Sequence, residues 1–357
     1  MARQSLTHLA KVFESKVSVR AWIGMDVHKD SYHVAVQAED GRVHTFVGPS
    51  RPELVVRMIR ESGLKVMQIA YEAGPTGFGL ARALQEAGLP VIVVAPSKVP
   101  RPVGRNAKSD RLDCIKLAEY SARGMLKPIA IPTAQEEQER SVIRRRHDLV
   151  ESIRQVKQRI RSLLLFLGAK ASPTWSKKGI AALKDADVDE EAKETLESLL
   201  RELRFYAEEK RRIQDLLAKI LKKPEHREAV ESMESVPGIA DTTAGAFRLE
   251  IFRPERFNDG GEVASYVGLA PVVHQSGLSK PQGCLVPTGQ EELRSLLVEA
   301  AWRWKARDPE AQAFYCRMLR QTGMFQKAIV ALARKLVIIL WRLSVEKRPY
   351  VVHQVAT

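Results

Sequence analysis

The sequence predicts an α/β unit followed by a mostly helical remainder, and three observations carry that expectation. Between Ala21 and about Arg123, short runs rich in β-branched residues alternate with helical patterns. From Gln135 to Leu167, apolar residues recur at steps of three, four and seven, the spacing of a helical seam. Beyond Pro224, Gly- and Pro-containing turns separate further helical stretches. The expected organisation is a basic leader over 1–20, an α/β domain over 21–134, a helical pair over 135–223 and a C-terminal domain over 224–357.

The first arm, Ala21–Met25, and the second, Tyr32–Gln37, flank a tight polar turn, and Asp26 stands at the lip of the first. The turn Glu39-Asp40-Gly41 leads to a third arm, Arg42–Val47. Pro52 opens a helix that Gly63 closes. A fourth strand, Val66–Tyr71, ends at Glu72; the helix Phe78–Ala87 and the strand Val91–Val94 follow. Three antiparallel strands, then helix, strand, helix and strand, is the order of a ribonuclease H-like (RuvC-like) fold with a mixed sheet.

The segment 96–108 holds three prolines and four cations, Lys98, Arg101, Arg105 and Lys108. Its prolines argue against a helix and for a basic loop suited to phosphate. Ser109 can cap the next helix, and Asp110 and Asp113 are three residues apart, so they share one face of it.

The long helix expected from Gln135 to Leu167 has a seam of Val142, Leu149, Ile153, Val156, Ile160, Leu163 and Leu167. Its other faces carry Arg144, Arg145, Arg146 and Arg154, a basic surface expected to meet RNA or DNA. Residues 171–188 read as a polar, loop-rich tip, after which a helix from Glu190 to Lys222 can fold back as an antiparallel coiled-coil pair. Val236-Pro237-Gly238-Ile239 resembles the turn of a helix-hairpin-helix, whose backbone N–H groups can meet a phosphate. Gly238 and Arg294, in the helix opened by Glu291, are therefore candidate nucleic-acid contacts.

Charge narrows the partners. A net charge of +14 and a pI near 9.7 favour a polyanion, most simply nucleic acid, since cations that neutralise phosphates release condensed counterions. Cys114, Cys284 and Cys316 are scattered and form no CxxC pair, which fits a reducing cytoplasm and argues against a disulfide framework or a thiolate zinc site. The N-terminus shows no apolar signal region, and the late apolar run 328–343 is interrupted by Arg334, Lys335 and Arg342, so no membrane span is expected.

Asp26, Glu72, Asp110 and Asp113 each stand at the end or start of an element in one α/β pattern. Carboxylates gathered this closely repel unless a cation lies among them. Mg²⁺ or Mn²⁺ held there would suit phosphoryl transfer.

At these residues the chain resembles a known family. Gly24-Met25-Asp26-Val27-His28-Lys29, Tyr71-Glu72-Ala73-Gly74, Ser109-Asp110-Arg111-Leu112-Asp113, Val236-Pro237-Gly238-Ile239 and Gly268-Leu269-Ala270-Pro271 with Ser276-Gly277 are similar to the bridge-RNA-guided DEDD transposases, the insertion-sequence family numbered one hundred and ten. The resemblance runs from about Trp22 to Arg348. It implies a metal-binding carboxylate set at Asp26, Glu72, Asp110 and Asp113, and a C-terminal domain whose serine nucleophile falls on Ser276. It further implies DNA strand exchange through a phosphoserine link, with a structured guide RNA choosing donor and target DNA in a bacterial, nucleoid-associated setting. A helical arm of about 30 residues is roughly 45 Å long. That length, and the four DNA strands to be cut, lead us to expect a dimer to tetramer with a site shared between chains. Two rival readings remain at this stage: a metal-dependent nuclease using water, and a non-catalytic RNA-binding scaffold.

Overall fold

The computed structural model describes residues 19–100, 110–169, 174–183, 187–271, 285 and 289–352. The chain divides into two compact units, residues 1–135 and 136–357.

The first unit is built on a six-stranded mixed sheet in the order β3-β2-β1-β4-β5-β6. β1 (Arg20–Val27), β2 (Ser31–Ala38) and β3 (Val43–Pro49) form an antiparallel meander; β4 (Lys65–Glu72) and β5 (Val91–Val94) continue parallel to β1. This mixed sheet is consistent with a ribonuclease H-like domain. One strand escaped the sequence reading. β6 (Pro128–Ile129) is two residues long and antiparallel to β5, too short to produce an alternation signal.

Alternation along the strands sends side chains to two faces. One face buries Ile23, Met25, Val34, Ile69 and Tyr71 against α1 (Pro52–Glu61) and α2 (Gly79–Glu86), which contribute Met58, Ile59, Leu80 and Leu84. The other face receives α3 (Asp110–Ala122), whose Leu117 packs with Ala70 and Val94, and whose Cys114 and Ala118 pack with Ala35. The Ser121 hydroxyl donates to Gln68 Oε1 at 2.7 Å and ties the end of α3 to β4.

Gly24 governs that packing. A Cβ built there would stand 2.0 Å from the Cys114 carbonyl oxygen and 2.5 Å from the Ala118 nitrogen, both backbone atoms of α3. No side chain fits, so α3 lies directly on the backbone of β1.

The second unit is helical among its described residues. α4 (Ala134–Phe166) and α6 (Glu190–Leu221) run antiparallel: Arg146 bonds Gln214 and, further along, Arg159 bonds Glu202. Val156, Ile160 and Leu164 meet Leu196, Leu200 and Leu203 between them. The buried stripe of α4 departs at both ends from the expected seam. It uses Ile143 where Val142 was expected and Leu164 in place of Leu163, while Leu167 is 39 % exposed. A helix of 3.6 residues per turn drifts against a fixed spacing, and the buried positions move with it.

The expected loop at the tip contains a short helix, α5 (Lys177–Ala182), capped by Ser176 accepting from the Gly179 N–H. α7 (Pro224–Glu234), α8 (Asp241–Ile251), α9 (Gly260–Val267), α10 (Glu291–Lys305) and α11 (Pro309–Thr322) gather around α12 (Phe325–Glu346), whose Leu332, Leu336 and Leu340 are fully buried. The lower ends of α4 and α6 join this core through Ile143, Leu217 and Leu221. None of the described helices is long and apolar enough to cross a membrane.

Between α9 and α10, two close approaches are made by described residues. Pro271 bridges Leu285, and a Cβ on Gly289, at φ +134°, would lie 2.7 Å from the Gly268 Cα.

We expect Gly24→Ala to force α3 off β1 and to lower stability by about 3 kcal/mol, at the upper end of overpacking effects. Thermal unfolding should show a clearly lowered Tm; an unchanged Tm would mean the helix can yield at no cost.

Candidate metal centre

The close seat of α3 on β1 sets the acidic centre. Gly24 and Asp26 lie on the same face of β1, so the helix pressed over Gly24 brings its first turn to Asp26. That turn carries Asp110 and Asp113, where the helix N-terminus favours negative charge. Met25 pairs with Tyr71 across the parallel β1–β4 ladder, so Asp26 and Glu72 are the next residues on adjacent strands. Glu72 shares its face of β4 with Ala70 and Gln68, both of which touch α3. The register therefore carries the two carboxylates to one edge of the sheet.

Two histidines enter the same space. His33 stands directly opposite Asp26 in the β1–β2 ladder, and His28 begins the turn, its backbone N–H donating to the Ser31 carbonyl at 3.0 Å. His28 Nε2 lies 3.3 Å from Asp26 Oδ2 and 3.4 Å from Asp110 Oδ2; His33 Nε2 lies 3.7 Å from Asp110 Oδ2. His28, His33 and Asp110 offer ligand atoms that all lie within 4.8 Å of one another. Asp113 has Lys116 Nζ at 3.3 Å, one turn along α3. Hard carboxylate oxygens beside imidazole nitrogens are a donor set that fits a divalent cation.

Cys114 reports on the same charges. Its thiol is pushed up to about 11, first by burial and then by the Asp26 charge, with Asp113 adding in the same direction. At neutral pH the thiol therefore stays protonated.

The structure separates the proposed nucleic-acid residues. Lys98 ends a 3₁₀ turn, Pro96–Lys98, in a stretch expected to lack helix; a single turn starting at proline costs no backbone hydrogen bond. Arg101, Arg105, Lys108, Ser109 and Ser276 lie outside the described residues. Arg144 makes a two-pronged bond to Glu250 at 2.8 and 3.0 Å, and Glu250 is buried. Arg146 donates to Gln214 Oε1 at 2.6 Å and is half-buried. Arg145 is exposed and has no ion pair among the described residues. Among the described residues Arg154 pairs only with Glu151 on its own helix, at 74 % exposure, a contact that costs little to give up. Arg294 sits half-buried in the first turn of α10.

Gly238 has a packing role. It joins α7 to α8 at φ +92°, and a Cβ there would lie 3.0 Å from backbone and side-chain carbons of Arg303. Val236 and Ile239 beside it are buried. Packing within the chain already requires the glycine, so its identity is no sign of a phosphate contact.

Comparison with known proteins agrees with this arrangement. Residues 23–168 match a family model described as transposase, the DEDD domain of the IS110 type, and residues 230–316 match the transposase IS116/IS110/IS902 family. The chain belongs to the IS110 family of transposases. It is 27 % identical over 292 residues to a putative transposase of Sinorhizobium fredii, covering 80 % of this chain and 72 % of that one. It is 24 % identical over 326 residues to the transposase for insertion sequence element IS1533 of Leptospira borgpetersenii, covering 88 % of this chain and 93 % of the relative. A pilin gene-inverting protein of Moraxella bovis is 33 % identical over 129 residues, 36 % of this chain and 40 % of the other. This IS110-family transposase is thus a DNA recombination enzyme whose DEDD domain implies use of a divalent metal.

Two outcomes follow from the side-chain partners. Arg144→Ala should strip Glu250 of its paired cation and cost about 2 kcal/mol, whereas Arg145→Ala should leave stability unchanged. Chemical denaturation of both variants measures the difference. In a Cys284→Ser background at pH 8, an alkylating reagent should modify Cys316 well before Cys114, and peptide mass spectrometry reads the order. Labelling of Cys114 should accelerate only as pH rises toward 11.

Proposed function

We propose that this transposase cuts and exchanges DNA strands with two chemical parts, the carboxylates Asp26, Glu72, Asp110 and Asp113 and the hydroxyl of Ser276. The observation that carries the reading is the approach of Asp26 and Asp110 to one point, each within 3.4 Å of His28 Nε2. Mg²⁺ or Mn²⁺ bound by these carboxylates would neutralise charge building on the phosphoryl oxygens. In the DNA step, the Ser276 Oγ–P bond forms as one P–O ester bond of the strand breaks. The serine proton leaves to base, and the displaced deoxyribose oxygen takes up a proton, so charge is conserved. Rejoining reverses the step with a new strand end, and no energy of hydrolysis is lost.

The basic balance of the chain and the exposed Arg145 and Arg154 support a structured guide RNA as a second partner, with DNA as donor and target. Two duplexes with four strands to cut support an assembly of two to four copies in a bacterial cytoplasm.

Asp26→Asn and Asp113→Asn should each abolish recombination while keeping the fold. Ser276→Ala should abolish a covalent protein–DNA adduct, read as a shifted band after denaturation. Cleavage that persists in Ser276→Ala with free DNA ends would replace serine by water as nucleophile. RNA should co-purify at low salt and be lost steeply as salt rises; a nucleic-acid-free preparation that binds no structured RNA tightly removes the guide from the reading.

A further inference from the structure

We propose that His28 and His33 are ligands of the metal centre, making it a mixed imidazole–carboxylate site that takes Mn²⁺ or Co²⁺ in preference to Mg²⁺. The inference rests on the carboxylate reading above and adds two nitrogen donors to it.

Spacing is the first ground. Two donors bound at about 2.1 Å to one ion, near the tetrahedral angle, stand about 3.4 Å apart. His28 Nε2 lies 3.3 and 3.4 Å from the Asp26 and Asp110 oxygens, and His33 Nε2 lies 3.7 Å from Asp110. These separations exceed a good charged hydrogen bond, which closes to about 2.8 Å, and match donors around a shared ion.

Rigidity is the second. His33 is fixed opposite Asp26 by the β1–β2 register, and His28 begins a turn closed by its own N–H. Their rings meet edge to face with centroids 5.7 Å apart, an arrangement that leaves both Nε2 atoms turned toward Asp110.

A second cluster in the chain gives the contrast. Glu139, Glu225 and His226 also lie close enough to hold an ion. There, however, Lys223 Nζ already sits 2.6 Å from Glu139, and Arg248 Nε donates to His226 Nδ1 at 3.3 Å. That cluster brings its own cations and uses both imidazole nitrogens. Asp26 and Asp110 have only the two histidines as ion-pair partners among the described residues. The chemistry then sets the preference. Imidazole binds borderline transition ions well, whereas Mg²⁺ favours oxygen donors and keeps its waters.

Pulsed EPR on the full, metal-stripped chain reloaded with Mn²⁺ tests this directly. Coupling of the ion to ¹⁴N should be present and should vanish in His28→Gln/His33→Gln. Mn²⁺ affinity should fall at least roughly tenfold in that variant. Mg²⁺ affinity should change by less than about threefold. If the double variant fails to fold, ¹⁵N-histidine labelling of the unmodified protein replaces it, since labelling should abolish the ¹⁴N signal. Mn²⁺ bound without nitrogen coupling, or Mg²⁺ bound as tightly as Mn²⁺, overturns the inference. Asp26→Asn separates the two readings: nitrogen-free binding that this variant abolishes leaves the carboxylate centre standing, whereas binding that survives it removes the centre itself.

Discussion

Helix α3 reaches the backbone of β1 because Gly24 has no side chain, and the acidic centre depends on that contact. With any Cβ at this position, the Cys114 carbonyl and the Ala118 nitrogen would have to move away. Asp110 and Asp113 ride on the same helix, so their distance from Asp26 would change with it. The first unit thus concentrates negative charge through a steric vacancy. Ser121 on Gln68 fixes the far end of the helix, and the near end is left to meet the carboxylate of β1. A protein interior at close-packed density transmits such a displacement instead of absorbing it.

The second unit divides its many cations between two duties. Arg144 serves the buried Glu250, and Lys223 with His226 serves the buried Glu139, so each acidic group taken out of water has a partner. These pairs link α4 to α8 and to the segment at the start of α7, far apart in sequence. A buried carboxylate without its cation would be costly, which makes the arginines of α4 part of the scaffold. Only those turned outward remain to meet a polyanion. Net charge therefore overstates the surface on offer to nucleic acid, because a share of it is neutralised inside.

Much of the first unit is legible in the sequence. Apolar runs rich in β-branched and aromatic residues give β1, β2, β4 and β5 within two residues, and Pro52 and Gly63 bracket α1. Asp26, Glu72, Asp110 and Asp113 stand out as candidates because each lies near the end or start of an element. What was hidden is long-range. Nothing local tells that Arg144 meets a residue 106 positions away, or that the Gly238 turn is filled from α10. The histidines were within reach: the four residues 28–31 between the paired Val27 and Tyr32 put His33 opposite Asp26 by counting alone, but a hairpin reading stops at the strands. Helices α5, α7, α9 and α11 were missed as elements because they are short or polar, and tertiary packing decides such segments more than propensity does.

The neck formed by Pro271 with Leu285, and by Gly268 with Gly289, has a consequence for how this family can diversify. Thirteen residues separate the bridged pair, and both ends are anchored to α9 and α10. Lengthening a tethered segment adds only the slow logarithmic closure cost, about 0.6 kcal/mol per doubling. Chain length between the anchors is therefore nearly decoupled from the stability of the helical core.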